Sequence, residues 1–290
     1  MSEWNGGTLS DEVLNIRGNR IQQGPDNDRV YLFKPRVDNL DGMASELLVL
    51  AKEYGRSKVV AKIPSSSFLE FERFGYVVEA VIPRLYRGKD NGLLMSFFID
   101  PKRASPERND FDKLMDLAIS KQQSPRNHNP DVDVKLAKKQ DADSLVELYS
   151  STFGSYPFPI NDPAFIAMTM DNNSDYFMIK EEGKIIAAAS AEINHSGENA
   201  EMTDFAVLPS HRGRGLAIEL LAEMEHQVKK KGIKVAYTIA RASSIGINRT
   251  FARLRYEYRG RLVKNADICD QLESMNVWSK DLCSIEHPTI

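Results

Sequence analysis

The second half of the chain switches repeatedly between two hydrophobic periods. Residues 132–137 alternate as a strand does, and Asp141 then stands at a helix N-cap position ahead of Leu145, Val146, Leu148 and Tyr149. Pro163, directly after Asp162, marks the start of a second helix. Residues 176–180 and 185–193 read as strands joined by the turn 181–184, and a turn at 195–199 leads into a third strand, 200–208, which Pro209 stops. Ala217, Leu221, Met224 and Val228 recur at helical spacing until Gly232 ends the run. A strand at 233–239, a helix at 244–254 and strands at 256–263 and 274–279 complete the order β-α-α-β-β-β-α-β-α-β-β.

The first hundred residues repeat the later part of that order. A helix is expected at 45–54, a strand at 58–63, a short helix at 67–73 and strands at 76–82 and 93–99. Phe71, Arg73 and Tyr76 share the spacing of Phe251, Arg253 and Tyr256, so a degenerate tandem duplication of half a domain is expected. Between the two parts lie Pro101, Pro106, Pro125 and Pro130, with periodicity only at Phe111, Leu114, Met115, Ala118 and Ile119. The expected division is therefore a half domain at 1–100, a linker with a helix at 101–130 and a full domain at 131–290.

Composition narrows the function. With 290 residues and 42% apolar content, both parts can bury a core. A net charge of −3 offers no general field for a polyanion, so no nucleic-acid partner is expected. The polar start and the lack of a long apolar run predict a soluble cytoplasmic protein with no membrane partner. Cys269 and Cys283 are too few for a zinc cluster and are expected as free thiols; no metal is expected.

The chemistry-bearing segment runs from Pro209 through Ser210, His211, Arg212, Gly213, Arg214, Gly215, Leu216 and Ala217 into a helix. Two glycines let the backbone approach a bulky anion, the helix start supplies unpaired N–H groups, and the two arginines add charge. That is a pyrophosphate cradle, though neither a Walker A loop nor a G-x-G-x-x-G fingerprint. The alternative reading is an ordinary Gly-rich connection with two solvated arginines.

Arg212-x-x-Gly215-x-Ala217, after a three-strand meander and before a helix, resembles the acetyl-CoA motif of the GNAT superfamily of N-acyltransferases. The resemblance implies an α/β (α+β) fold with a mixed, mostly antiparallel sheet flanked by helices, the first hundred residues being a degenerate GNAT-like half domain. It implies acetyl-CoA as cosubstrate, held by residues 212–217, with Phe205, Ala206 and Val207 pairing to its pantetheine amides and Asn248 touching the same arm. Glu201, eleven positions before Arg212, is the implied base, and Asp204 is the second carboxylate. Strand parity puts Asp204 on the face opposite Glu201. Tyr256 or Tyr258 is the candidate proton donor, because the position where the family often has tyrosine is Arg255.

A closer resemblance covers nearly the whole chain. Ser155 to Ile160, Asn199 to Ala206, Thr238 to Ala242 and the Phe74-Gly75-Tyr76 corner are similar to the beta-lysine N-acetyltransferases, which acetylate the terminal amine of beta-lysine to make a compatible solute. In such an enzyme Arg241 is a candidate for the substrate carboxylate, and Tyr149, Phe153, Tyr156 and Phe158 for an aromatic wall. A packed core is the competing role for Phe153 and Phe158. Where Arg255 precedes Tyr256, glycine is expected, as at Gly75. The half domain lacks a cradle around Asp41-Gly42-Met43 and is expected to cover an edge of the catalytic domain or to make a homodimer. The alternatives are a GNAT enzyme acting on another small amine or a protein lysine, and an acetyl-CoA-binding module without turnover.

Overall fold

The computed structural model describes residues 11–105, 129, 132–153, 158–268 and 271–283. The first unit begins with an antiparallel meander of β1 (Glu12–Ile16), β2 (Asn19–Gly24) and β3 (Arg29–Lys34). Then come α1 (Met43–Glu53), β4 (Lys58–Pro64) parallel to β3, α2 (Phe68–Arg73), and the hairpin β5 (Val77–Tyr86) and β6 (Asp90–Phe98). The second unit runs β7 (Val134–Leu136), α3 (Ala142–Thr152), α4 (Pro163–Asp171), β8 (Ser174–Glu181), β9 (Lys184–Asn194) and β10 (Asn199–Val207). It continues with α5 (Leu216–Lys230), β11 (Val235–Arg241), α6 (Ile245–Arg253), β12 (Glu257–Asp267) and β13 (Leu272–Asp281). The helix expected around Phe111 lies outside the described residues.

Strands β1 to β3 were not expected. Their side chains do not alternate apolar with polar: β2 buries Asn19, Gln22 and Gln23 beside Ile21, and these amides are satisfied by other parts of the first unit. Asn19, for instance, donates to the Asn39 carbonyl and accepts from the Arg36 N–H. With that meander the first unit follows the order of the second from β8 to β13 rather than only its later half.

The matched corners agree in detail. The Tyr76 N–H donates to the Phe71 carbonyl, and the Tyr256 N–H to the Phe251 carbonyl. The Phe71 and Tyr76 rings meet edge to face at 5.1 Å, and those of Phe251 and Tyr256 at 4.9 Å. A tandem repeat predicts such matches.

All thirteen strands of the described residues form one sheet, ordered β1-β2-β3-β4-β6-β5-β12-β13-β11-β10-β9-β8-β7. The units join where β5 meets β12 at the pair Ala80 and Gly260. A Cβ at Gly260 would stand 2.2 Å from the Glu79 carbonyl oxygen, so only glycine lets the strands approach there.

Helices α5 and α6 cover one face of the second unit, where Leu220, Leu221, Met224, Phe251 and Trp278 are buried. Helices α3 and α4 cover the opposite face over β8 and β9, packing Leu145, Tyr149, Ile166 and Tyr176. A further core joins Tyr31, Val60, Ile82 and Leu94 of the first unit to Val235, Tyr237 and Val277 of the second. β4 and β11 are five strand steps apart, about 24 Å in a flat sheet at ~4.8 Å per step. Yet the Lys62 Nζ on β4 lies 2.6 Å from the Tyr237 hydroxyl on β11. The sheet therefore curls so that the first unit faces the middle of the second.

Candidate active site

β10 is the central strand of the site. It runs parallel to β11 only from Asn199 to Glu201, opposite Val235 to Tyr237, whereas β11 continues alongside β13 to Arg241. Beyond Glu201 the two strands splay, leaving the β10 edge from residue 203 to 207 without a ladder partner on that side among the described residues. An extended amide chain can add to such an edge.

The splay coincides with a β-bulge. β10 pairs Thr203 with Ser190 and then Ala206 with Ala188, so two residues oppose one, and Asp204 takes a left-handed backbone with φ 54°. This corrects the parity expectation for Asp204. Its Oδ2 accepts from the hydroxyl of Ser190, the cross-strand partner of Thr203, which places it on the same face as Glu201. Phe205 turns instead to the helix face, where its ring meets Phe251 at 5.6 Å. Ala206 is fully buried and Val207 packs on the α5 side.

Glu201 lies at the apex of the wedge, its side chain 22% exposed. The Tyr237 hydroxyl donates to its Oε2 at 2.8 Å, and Lys62 Nζ stands 3.9 Å away. Burial raises its pKa above the usual carboxylate value, aided by Glu192 across the ladder and by Asp204, while Lys62 and the Tyr237 hydrogen bond oppose the rise. A carboxylate so placed holds a proton more readily than a solvated one, as a base working near neutrality must.

At the mouth of the wedge, Gly215 caps α5 with φ 79° and Gly213 has φ 81°. A Cβ at either would meet nothing within 4 Å, so the space above the loop is open and the backbone N–H groups of the first turn face it. Arg212 is exposed, with its Nε donating to the Val207 carbonyl. Arg214 pairs with Glu181 at 2.8 Å, and His211 Nδ1 is 2.8 Å from the Ser210 hydroxyl. Leu216 is buried and Ala217 half-buried beneath the loop. An open edge, glycine-borne space and a helix start with two arginines fit a long ligand carrying a pyrophosphate.

Three expected roles change. Asn248 is 2% exposed and donates to the carbonyls of Arg241 and Ser244, while its oxygen accepts from Asn276 and from the Trp278 indole. Both donors and both lone pairs are spent inside the protein, so it ties α6 to β11 and β13 instead of touching a ligand. Tyr256 is fully buried and its hydroxyl meets Glu225 on α5; burial and that carboxylate raise its pKa well above 10. It is not among the residues lining the wedge, and Tyr258, on β12, stacks edge to face on Trp278. Arg241 lines the wedge, but Glu273 already holds it through two hydrogen bonds, of 2.9 and 2.5 Å.

The acceptor side contains residues that local patterning did not reveal. Tyr31, Phe33, Lys34 and Lys62 of the first unit line the same cavity as Tyr176, Glu192, Glu201, Asp204 and Tyr237. Lys34 pairs with Glu192 at 3.4 Å, and the Phe33 and Phe158 rings lie 6.4 Å apart. Tyr149 and Phe153 stack at 5.9 Å within the α3 core. Tyr156 lies outside the described residues. Among the described residues no group of three or more His, Cys, Asp or Glu is arranged to hold a metal, and no helix is long and apolar enough to cross a membrane.

Residues 142–254 match the family model described as the acetyltransferase (GNAT) family. The chain is 35% identical to a beta-lysine N(6)-acetyltransferase of Methanococcus maripaludis over 93% of this chain and 98% of that one. It is 30% identical to a beta-lysine N(6)-acetyltransferase of Methanosarcina mazei, over 85% and 99%. It is 31% identical to the N-acetyltransferase YodP of Bacillus subtilis, over 85% and 92%. The chain is therefore a member of the GNAT family of N-acetyltransferases, similar over 85–93% of its length to two relatives named as beta-lysine N(6)-acetyltransferases.

Proposed function

We propose that this N-acetyltransferase uses acetyl-CoA to acetylate the terminal (N6) amine of beta-lysine, making N-epsilon-acetyl-beta-lysine as a compatible solute in the cytoplasm. The observation that carries the reading is Glu201, half-buried where β10 parts from β11, with Glu192 and Asp204 on the same face. A cluster of three carboxylates in one cavity suits an acceptor bearing two ammonium groups. The names of the two methanogen relatives support the same substrate.

An alkyl ammonium has a pKa of about 10.4 and must lose a proton before it attacks. Glu201 accepts that proton; Asp204 is the weaker candidate because Ser190 and Thr203 engage its oxygens. Bound acetyl-CoA supplies a thioester whose C–S bond is exchanged for the new C–N bond, and the second amine proton neutralises the departing thiolate. Backbone N–H groups near Ala206 and Val207 polarise the thioester oxygen, and residues 212–217 hold the pyrophosphate.

Release of free thiol from acetyl-CoA is measured against beta-lysine, alpha-lysine, a polyamine and a lysine peptide. Turnover with beta-lysine far above the others is expected. Comparable turnover with all four, or none with beta-lysine, overturns the substrate. Glu201→Gln is expected to leave acetyl-CoA affinity intact and to cut the rate at neutral pH by about 10²-fold or more. An unchanged rate overturns the base.

A further inference from the structure

The first unit starts α1 at Gly42 without the arginine pair that flanks Gly215, yet one of its side chains reaches the apex of the wedge. Lys62 on β4 is 11% exposed along its side chain. Its ammonium lies 2.6 Å from the Tyr237 hydroxyl and 4.9 Å from the centre of that ring. The hydroxyl in turn donates to Glu201 at 2.8 Å. A long, flexible lysine loses side-chain entropy when fixed in one place and costs more to desolvate, and no aliphatic packing need explains a charged tip aimed at a carboxylate. A polar bridge of this kind needs all three members: without the ammonium, the tyrosine hydroxyl is free to turn, and the half-buried glutamate loses its only close cation among the described residues.

We propose that Lys62 is a positioning residue for catalysis, which through Tyr237 aims the Glu201 carboxylate into the wedge and directly holds it ionised, so that the first unit completes the active site. This rests on Glu201 being the base.

The charges around Glu201 set the sign. Glu192 on β9 and Asp204 on β10 are negative and disfavour its ionised form. Tyr237 on β11 donates a hydrogen bond and favours that form. Tyr31 on β3 and Tyr176 on β8 are phenols held neutral by burial, and Lys34 on β3 is engaged with Glu192. Lys62 on β4 is the cation facing Glu201 itself. Burial pulls the Lys62 pKa down, and Glu201 and Glu192 pull it back up. Removing this cation therefore raises the pKa of the base, and the acid limb of the rate profile moves to higher pH.

The repeat gives an independent reason. Register aligns Arg29, Val30 and Tyr31 on β3 with Lys58, Val59 and Val60 on β4, just as Asn199, Ala200 and Glu201 on β10 align with Val235, Ala236 and Tyr237 on β11. In the first unit the place of Glu201 is thus held by Tyr31, a residue unable to act as a carboxylate base. That unit has lost the base while presenting Lys62 to its neighbour's.

The test uses the full chain with Lys62→Met, Lys62→Arg, Tyr237→Phe and Glu201→Gln measured in parallel. For each, kcat/KM is followed against pH, together with acetyl-CoA affinity. Lys62→Met is expected to move the acid limb up by about one pH unit and to lower kcat/KM near pH 6 about tenfold. The rate should recover at higher pH and acetyl-CoA affinity should be unchanged. Lys62→Arg should return the limb to within about 0.3 unit, and Tyr237→Phe should shift it the same way as Lys62→Met but less. A uniform loss at all pH values in Lys62→Met, or a limb that stays in place in both Lys62→Met and Tyr237→Phe, overturns the proposal while leaving Glu201 as base. If Lys62→Met does not fold, Tyr237→Phe and Lys62→Arg decide alone. Full activity in Glu201→Gln overturns the underlying reading and this proposal with it.

Discussion

Asp204 and Glu201 present their carboxylates to the same face of β10 although three positions separate them, because the strand bulges between Thr203 and Ala206. The bulge both parts β10 from β11 and brings a second negative charge beside the first. Asp204 therefore raises the Glu201 pKa. Asp204→Asn removes the charge while keeping a side chain that tolerates φ 54° and can still meet Ser190. The acid limb of kcat/KM should move to lower pH, opposite in sign to the shift expected for Lys62→Met. A pH–rate series that shows the limb unmoved or raised would contradict this arrangement. Asp204→Val puts a β-branched residue in the left-handed region and should cost about 1–3 kcal/mol in urea unfolding.

Asn248 gives a test of stability against binding. Asn248→Ala strands the Trp278 indole N–H inside the core, takes one partner from Asn276, and removes the side-chain donor to the Arg241 carbonyl at the end of β11 and the Ser244 carbonyl at the start of α6, each of which keeps a backbone N–H. At about 1–3 kcal/mol for a buried group left unsatisfied, the loss should be about 2–4 kcal/mol in chemical denaturation. Acetyl-CoA affinity, measured well below the unfolding midpoint, should change less than about threefold. A large loss of affinity without a loss of stability would return Asn248 to the ligand.

What the sequence made legible was local. Strand alternation and the helix start at Gly215 are set by neighbours a few positions apart, and the second unit's order of elements followed from them. The face of Asp204 was misread because period-two alternation presumes unbroken pairing, and a bulge leaves no mark on apolar periodicity. Lys62 meets Tyr237 across 175 residues through the curl of a thirteen-stranded sheet, which no local pattern encodes. The β1–β3 meander hid for another reason: its buried positions include Asn19, Gln22 and Gln23, whose partners lie elsewhere in the chain. Asn248 and Arg241 were placed near the right elements, but only packing shows that Trp278, Asn276 and Glu273 already occupy them.

Tyr256 separates a role in packing from one in proton return. Its ring is buried against Phe251 and its hydroxyl faces Glu225, so Tyr256→Phe keeps the packing and removes a single polar contact. Steady-state kcat with the preferred amine should stay within about twofold of the parent, and stability should fall by roughly 1 kcal/mol. A drop in kcat of tenfold or more, without loss of stability, would restore the phenol as proton donor.

Arg255 follows α6 as Gly75 follows α2, and both take left-handed backbones, φ 63° and 84°. The hydrogen bonds around them match: the Arg255 N–H donates to Ala252 and the Gly75 N–H to Glu72, one residue before the paired tyrosine N–H bonds. The left-handed region costs an L side chain about 1–2 kcal/mol that glycine avoids, and a helix end of this kind favours glycine. Arg255 is exposed, so removing its side chain sacrifices little packing. Arg255→Gly should therefore stabilise the chain by about 1 kcal/mol, read as a higher denaturation midpoint at unchanged slope, with the rate at saturating substrates unaltered. A lower midpoint would mean that the guanidinium makes a contact worth more than the strain of its backbone.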